Sequence, residues 1–258
     1  MINLAGKTGR PSFFWLMTEP GRALTELGFS YPYNKFYRHT QVGDGHPVMI
    51  LPGFLSTKQS TAVMRDFVSK LGYCVFDWGL GRNLGKVEYT EMLLDTLEEL
   101  YQKKGQKISL IGWSLGGVFA RHLAKEKPHL VRQVITLGSP FQDITQPNNV
   151  EWVYTLISRG KHAKHTHPEL LANFSIPAPV PTTAIYSKED GIVHWKMCME
   201  KIEDEIHQNI QVRGSHIGLG VNRSVLAIIA DRLQYKRENW SYFEPKSFVD
   251  NLLFYPSL

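Results

Sequence analysis

Within "LIGWSLGGVFARHLA", residues 110–124, one serine stands between two glycines as Gly112-Trp113-Ser114-Leu115-Gly116. An apolar run leads into this G-x-S-x-G pattern and a helical pattern follows it. Such a junction suits a nucleophile, because glycines let a strand and a helix close on a sharp turn that presents the hydroxyl. The helix start behind Ser114 would add free N–H groups and the positive end of its dipole. A serine hydroxyl is a poor nucleophile at neutral pH and needs a base, usually a histidine held by a carboxylate. Downstream, "AIYSKEDGIVHW" carries Glu189, Asp190 and His194, and "VRGSHIGLG" carries His216. Asp190, in a turn with Gly191, is the favoured acid, with Glu189 and then Asp143 as the alternatives. His216, between Gly214 and Gly218, is the favoured base, and His194 competes with it. The oxyanion of acyl transfer needs two N–H donors. The amide of Leu115 is one, and the Phe54 amide in "LPGFLST" is the other, with Gly53 permitting close backbone approach. Trp113, Trp152 and His194 are candidate substrate-binding residues.

These groups need a scaffold that brings four distant loops together. Residues 12–28 read as a helix, and from Pro47 strands and helices alternate. Strands are expected at 47–51, 73–78, 107–112, 131–138, 182–187 and 209–214. Helices are expected at 58–71, 88–103, 115–126, near 194–205, and at 221–235. Apolar strands alternating with helices of this length imply right-handed β-α-β units and a parallel sheet covered on both faces. Ligands in such sheets bind at the carboxyl ends of strands, where Phe54, Ser114, Asp190 and His216 fall. The rhythm breaks over 141–180, which holds Pro147, Pro168, Pro177 and Pro179 around "VEWVYTLISRG".

The 258 residues suffice for one substantial core, with 43% apolar and 21% charged residues. A formal charge of +5 without a dense basic block argues against nucleic acid as a partner. Cys74 and Cys198 are too few for a zinc site. No secretory signal and no 18-residue apolar run stand out, so a cytoplasmic protein without a membrane span is expected. Gly6-Lys7-Thr8 lacks the earlier glycine of a phosphate loop, and His162, His165 and His167 have few carboxylates nearby, so neither a cofactor nor a metal is expected. The aromatic residues Phe13, Phe14 and Trp15, and Trp240, Tyr242, Phe243, Phe254 and Tyr255 near the other end, are expected to pack on the core. Transient contact with a lipid surface, or a second subunit, is the alternative for them.

Taken together, "VMILPGFLST", "YCVFDWGLGRN", "ISLIGWSLGGVFAR", "VITLGSPF", "YSKEDGIV" and "VRGSHIGLG" resemble the α/β-hydrolases, nearest to their bacterial lipase and esterase branch. The resemblance covers residues 46–235 and implies one α/β domain with about six mostly parallel strands. Residues 1–46 would be a helical N-terminal segment, and 141–180 would be the lid insertion. It further implies Ser114 as nucleophile, Asp190 as acid, His216 as base, and Phe54 and Leu115 as oxyanion donors. Where many of these proteins have His-Gly in the first loop, Pro52 precedes Gly53 here. The expected activity is cofactor-independent cleavage of a small-molecule or lipid carboxylic ester. An acyltransferase using the same acyl-enzyme, and a non-catalytic binding protein with this fold, are the alternatives.

Overall fold

Six strands form a single parallel sheet whose central members are too apolar to tolerate water on either side. The computed structural model describes residues 11–36, 43–142, 174–245 and 254–256. In chain order these hold α1 (Phe13–Phe36), β1 (Pro47–Leu51), α2 (Ala62–Lys70), β2 (Cys74–Asp77), α3 (Tyr89–Lys104) and β3 (Ile108–Trp113). There follow α4 (Leu115–Glu126), β4 (Val131–Leu137), β5 (Thr182–Tyr186), β6 (His207–Gln211) and α5 (Arg223–Leu233). The strand order is β2-β1-β3-β4-β5-β6, and every neighbouring pair is parallel. The chain moves outward from β1 to β2, then returns to β3 on the other side of β1. The crevice of such a sheet opens where that direction reverses, beyond the carboxyl ends of β1 and β3.

Alternation along the strands divides the core in two. Val48, Ile50, Ile111, Ile135 and Leu137 face a layer that includes Phe67 of α2 and Leu226 and Ile229 of α5. Met49, Leu51, Leu110 and Val134 face Leu93 and Leu97 of α3 and Val118 and Leu123 of α4. The expected strands and the helices α2 to α5 fall within a few residues of their sequence positions. The helix expected near 194–205 does not form, and only a short 3-10 turn, Trp195–Cys198, occurs there. Its backbone groups are claimed from elsewhere: the Met197 carbonyl accepts the amides of Phe141 and Gln142, and the Glu200 amide donates to Asn209 Oδ1.

α1 runs to Phe36 rather than stopping near Gly28, and it is turned inside out. Glu19 and Glu26, seven residues apart and hence on one face, point into the protein, while Phe13 (73% exposed), Phe14, Met17 and Leu24 face outward. The expectation that Phe13 and Phe14 pack on the core is therefore corrected, because the buried side of the helix is the one that supplies hydrogen bonds. Phe243 and Tyr255 do pack on the core. The lid assigned to 141–180 lies mostly outside the described residues, and Trp152 and Asp143 lie outside them altogether. Among the described residues, no helix is long and apolar enough to cross a membrane.

One buried ion pair fastens the layers that surround the site. Arg121 of α4 pairs with Glu200, donates to the Ile176 carbonyl at 3.0 Å, and lies 3.8 Å over the Phe141 ring. Both side chains are fully buried. Glu200→Ala leaves the guanidinium in the core without a countercharge, and is expected to cost about 3–5 kcal/mol in urea unfolding.

Candidate active site

Ser114 sits between β3 and α4 with φ 53° and ψ −122°. Only Ser114 and Leu55 have positive φ among the described non-glycine residues, and both lie in loops at the carboxyl ends of adjacent strands. A non-glycine residue in this region costs about 1–3 kcal/mol and persists only where its surroundings enforce it. The enforcement here is steric. A Cβ on Gly116 would lie 2.3 Å from the Leu51 carbonyl oxygen, and one on Gly112 would lie 2.3 Å from Gly117 Cα. The strand and helix therefore meet almost backbone to backbone, and the single residue between them must turn sharply. The Ser114 amide still donates to the Leu137 carbonyl at 2.8 Å, and its own carbonyl accepts from Gly117.

His216 and Asp190 meet as a buried pair, with Nδ1 of the imidazole 2.6 Å from Oδ2 of the carboxylate. The other carboxylate oxygen accepts the amides of Ile192 (2.8 Å) and Val193 (2.7 Å), which fixes the plane of the group. The base loop is tied to the nucleophile turn by Trp113, whose indole N–H donates to the His216 carbonyl at 3.1 Å. Trp113 is thus buried in the core and braces the base loop. Burial pulls the His216 pKa down, but the charge and hydrogen bond of Asp190, with the charge of Glu19, outweigh it and leave the imidazole raised above 6.5.

Of the alternatives, Glu189 reaches the surface near Arg213, 3.6 Å away. His194 caps the 3-10 turn, its Nδ1 accepting from the Lys196 amide, and its ring stacks on Trp195. Asp190 is therefore joined to His216 and not to His194. On the other flank, a Cβ on Gly53 would lie 3.3 Å from Ser114 Cβ, so the loop after β1 runs beside the serine. Asn83 shapes that loop: its side-chain amide donates to the Pro52 carbonyl, its backbone carbonyl accepts from Leu55, and its own amide donates to Ser56. The turn's bonds start from Leu55, Ser56 and Asn83, and among the described residues none starts from the Phe54 amide. Leu115, the first residue of α4, has an amide with no acceptor inside the helix.

The sequence reading missed Asn83, Glu19 and Glu26. Glu19 and Glu26 enter from α1, where their carboxylates accept backbone amides of the acid and base loops. Their seven-residue spacing, as the two carboxylates of the helix, was the available signal.

A second Ser-His-Asp chain lies at the opposite end of β3. His46 Nδ1 is 2.5 Å from Asp44 and its Nε2 is 2.8 Å from Ser109 Oγ. Asp44 also meets Arg132 at 2.7 Å. Ser109 is 0% exposed and lies inside a strand, without a helix start behind it, so no substrate carbonyl can reach it. Connectivity alone does not make a nucleophile; access, backbone strain and nearby donors separate Ser114 from Ser109.

The sequence profile of a PGAP1-like alpha/beta domain matches residues 77–175, less than half of the chain. No curated protein sequence matches. Among solved structures, the chain is similar to the metagenome-derived lipolytic enzymes LipS and LipT, at 14% identity and a TM-score of 0.56, covering 74% of this chain and 93% of that one. It is similar to Aspergillus fumigatus lipase B at 18% identity and a TM-score of 0.57, covering 77% of this chain but only 55% of that one. A third likeness is to a Paleococcus ferrophilus monoacylglycerol lipase, with 14% identity, a TM-score of 0.54, and coverage of 74% and 96%. The six parallel strands and these likenesses define the class: the chain has the α/β-hydrolase fold.

The His46 relay has its own signature in solution. Burial holds the His46 pKa down at about 4, against the pull of Asp44. The unfolded chain binds this proton below 6.5, whereas the folded chain refuses it until about pH 4. Unfolding free energy should therefore fall as pH drops through that window, and His46→Gln should remove that part of the fall. Ser109→Ala should cost about 1 kcal/mol through the lost buried hydrogen bond.

Proposed function

We propose that the chain is a serine hydrolase of carboxylic esters that works without a cofactor. The observation that carries this reading is the strained Ser114 turn at a helix start, tied through the Trp113–His216 hydrogen bond to the loop that holds a buried His216–Asp190 pair. Ser114 Oγ attacks the ester carbonyl carbon while Nε2 of His216 takes its proton. Asp190 holds the tautomer with the proton on Nδ1 and stabilises the imidazolium that forms. The amides of Phe54 and Leu115 hold the oxyanion. The carbon–oxygen bond to the alcohol then breaks, and the alcohol leaves with the proton from His216. Water, activated by His216 in turn, releases the acid and restores the serine.

A lipid ester is the substrate class in this reading. The outward apolar side of α1, with Phe13, Phe14, Met17 and Leu24, supports transient contact with a lipid surface close to the site. The lipase names of the similar structures agree with it. A cytoplasmic setting belongs to the same proposal and is supported by the free thiols of Cys74 and Cys198.

A fluorophosphonate probe should label Ser114 in the folded protein and fail to label Ser114→Ala; an unlabelled wild type refutes the hydrolase reading. Asp190→Asn should lower kcat by about 10⁴-fold with the fold intact, by misplacing the imidazole proton. Because the base must be neutral and its pKa is raised, kcat/KM should climb with pH through a midpoint above 6.5.

A further inference from the structure

We propose that Glu19 is a positioning residue that locks the acid loop and the base loop together, so that Asp190 and His216 are held face to face. The proposal rests on the hydrolase reading for its kinetic meaning, but the geometry is independent of it. Oε1 of Glu19 accepts the amide of Gly191 at 2.8 Å and that of His216 at 2.9 Å, and Oε2 accepts the amide of Ile217 at 3.0 Å. These are the residue after the acid, the base itself, and the residue after the base. One side chain from α1 thus joins the loops that follow β5 and β6. A carboxylate suits this task because it is acceptor-only at both oxygens, whereas a carboxamide would turn N–H donors toward one or more of those amides.

The chain makes room for the clamp. A Cβ on Gly191 would fall 2.4 Å from the Leu16 amide nitrogen of α1, so only glycine lets the helix settle on the acid loop. One turn-pair further along α1, Glu26 accepts the Ser215 amide at 2.7 Å and Asn222 Nδ2 at 3.0 Å. A Cβ on Gly218 would lie 2.3 Å from Glu26 Oε2. Glu19 is 1% exposed, and Arg22, 3.1 Å away, partly balances its charge.

The same placement acts on the base electrostatically. Among the described residues, the charged groups about His216 are Asp190 from the loop after β5, and Glu19 with Arg22 from α1, while Glu26 holds the neighbouring Ser215. Both Asp190 and Glu19 favour the protonated imidazole. A residue that served only to hold the fold would not move the titration of His216.

The test is Glu19→Gln, compared with wild type at a temperature where circular dichroism shows both folded. We expect kcat to fall about 10–100-fold with KM little changed, the loss typical of a misplaced catalytic group. The acidic limb of kcat/KM should move to lower pH, because a negative charge beside the imidazole has gone. The low-field proton resonance of the His216 Nδ1–H shared with Asp190 should broaden or vanish. A folded Glu19→Gln with unchanged kcat, pH profile and resonance overturns the proposal. If Glu19→Gln does not fold, Gly191→Ala pushes α1 off the acid loop with Glu19 intact, and the same readouts apply with the same meaning. The resonance needs no substrate, so it separates this idea from the hydrolase reading. In a wild type that the fluorophosphonate leaves unlabelled, loss of the resonance in Glu19→Gln still supports the clamp, and its persistence overturns it.

Discussion

The near-contact of backbone between α4 and the strands beside it is the constraint from which the site follows. With hydrogen in place of a Cβ at Gly112 and Gly116, the helix can start directly above β1 and β3. There is then room for one residue in the turn, and that residue, Ser114, takes a positive φ. Its hydroxyl lies at the helix start and beside the loop after β1, because β1 and β3 are neighbours across the reversal of the sheet. Two of the other loops are tied to this turn: Trp113, just before the serine, donates to the His216 carbonyl, and Gly53 lies against Ser114 Cβ. The local cost of the strained turn is small beside the apolar burial of the two core layers that hold it.

The histidines show how surroundings decide what a common connectivity does. His46 and His216 each touch an aspartate through Nδ1. At His46, burial dominates and the ring is kept neutral between Asp44 and a sealed serine, which fastens the chain before β1 to β3. At His216, burial lowers the pKa, but the charge and hydrogen bond of Asp190, with a smaller contribution from Glu19 of α1, outweigh it and raise the pKa. A base whose charged form is stabilised is suited to accept a proton transiently, whereas one held neutral by burial serves as a fixed hydrogen-bond link.

α1 reverses the usual arrangement of a surface helix. Its carboxylates are inside because four loop amides, at Gly191, Ser215, His216 and Ile217, need acceptors there. Each buried N–H left without a partner would cost about 1–3 kcal/mol. The outward apolar stripe is what remains when the polar side has been committed to the loops. That arrangement joins whatever the stripe meets to the same helix that holds the acid and base loops.

Much of this was legible in the sequence, and the reason is local. The G-x-S-x-G turn, the alternation of apolar strands with helices, and the post-strand positions of Asp190 and His216 are written in short windows whose chemistry does not depend on distant partners. Strand β1 and helix α4 occupy the positions that pattern alone assigned to them. Tertiary structure decided the rest. Periodicity suggested a helix near 194–205, but the amides of Phe141 and Gln142 claimed the Met197 carbonyl. The bond from the Trp113 indole to the His216 carbonyl joins residues 103 apart in the chain. No local pattern could reveal that Glu19, nearly two hundred residues before His216, accepts the amide of that histidine. The sequence by itself determined which groups could do chemistry and at which strand ends they stand. Only the folded chain decided which of them meet, because hydrogen bonds across distant segments form only once packing has brought those segments together.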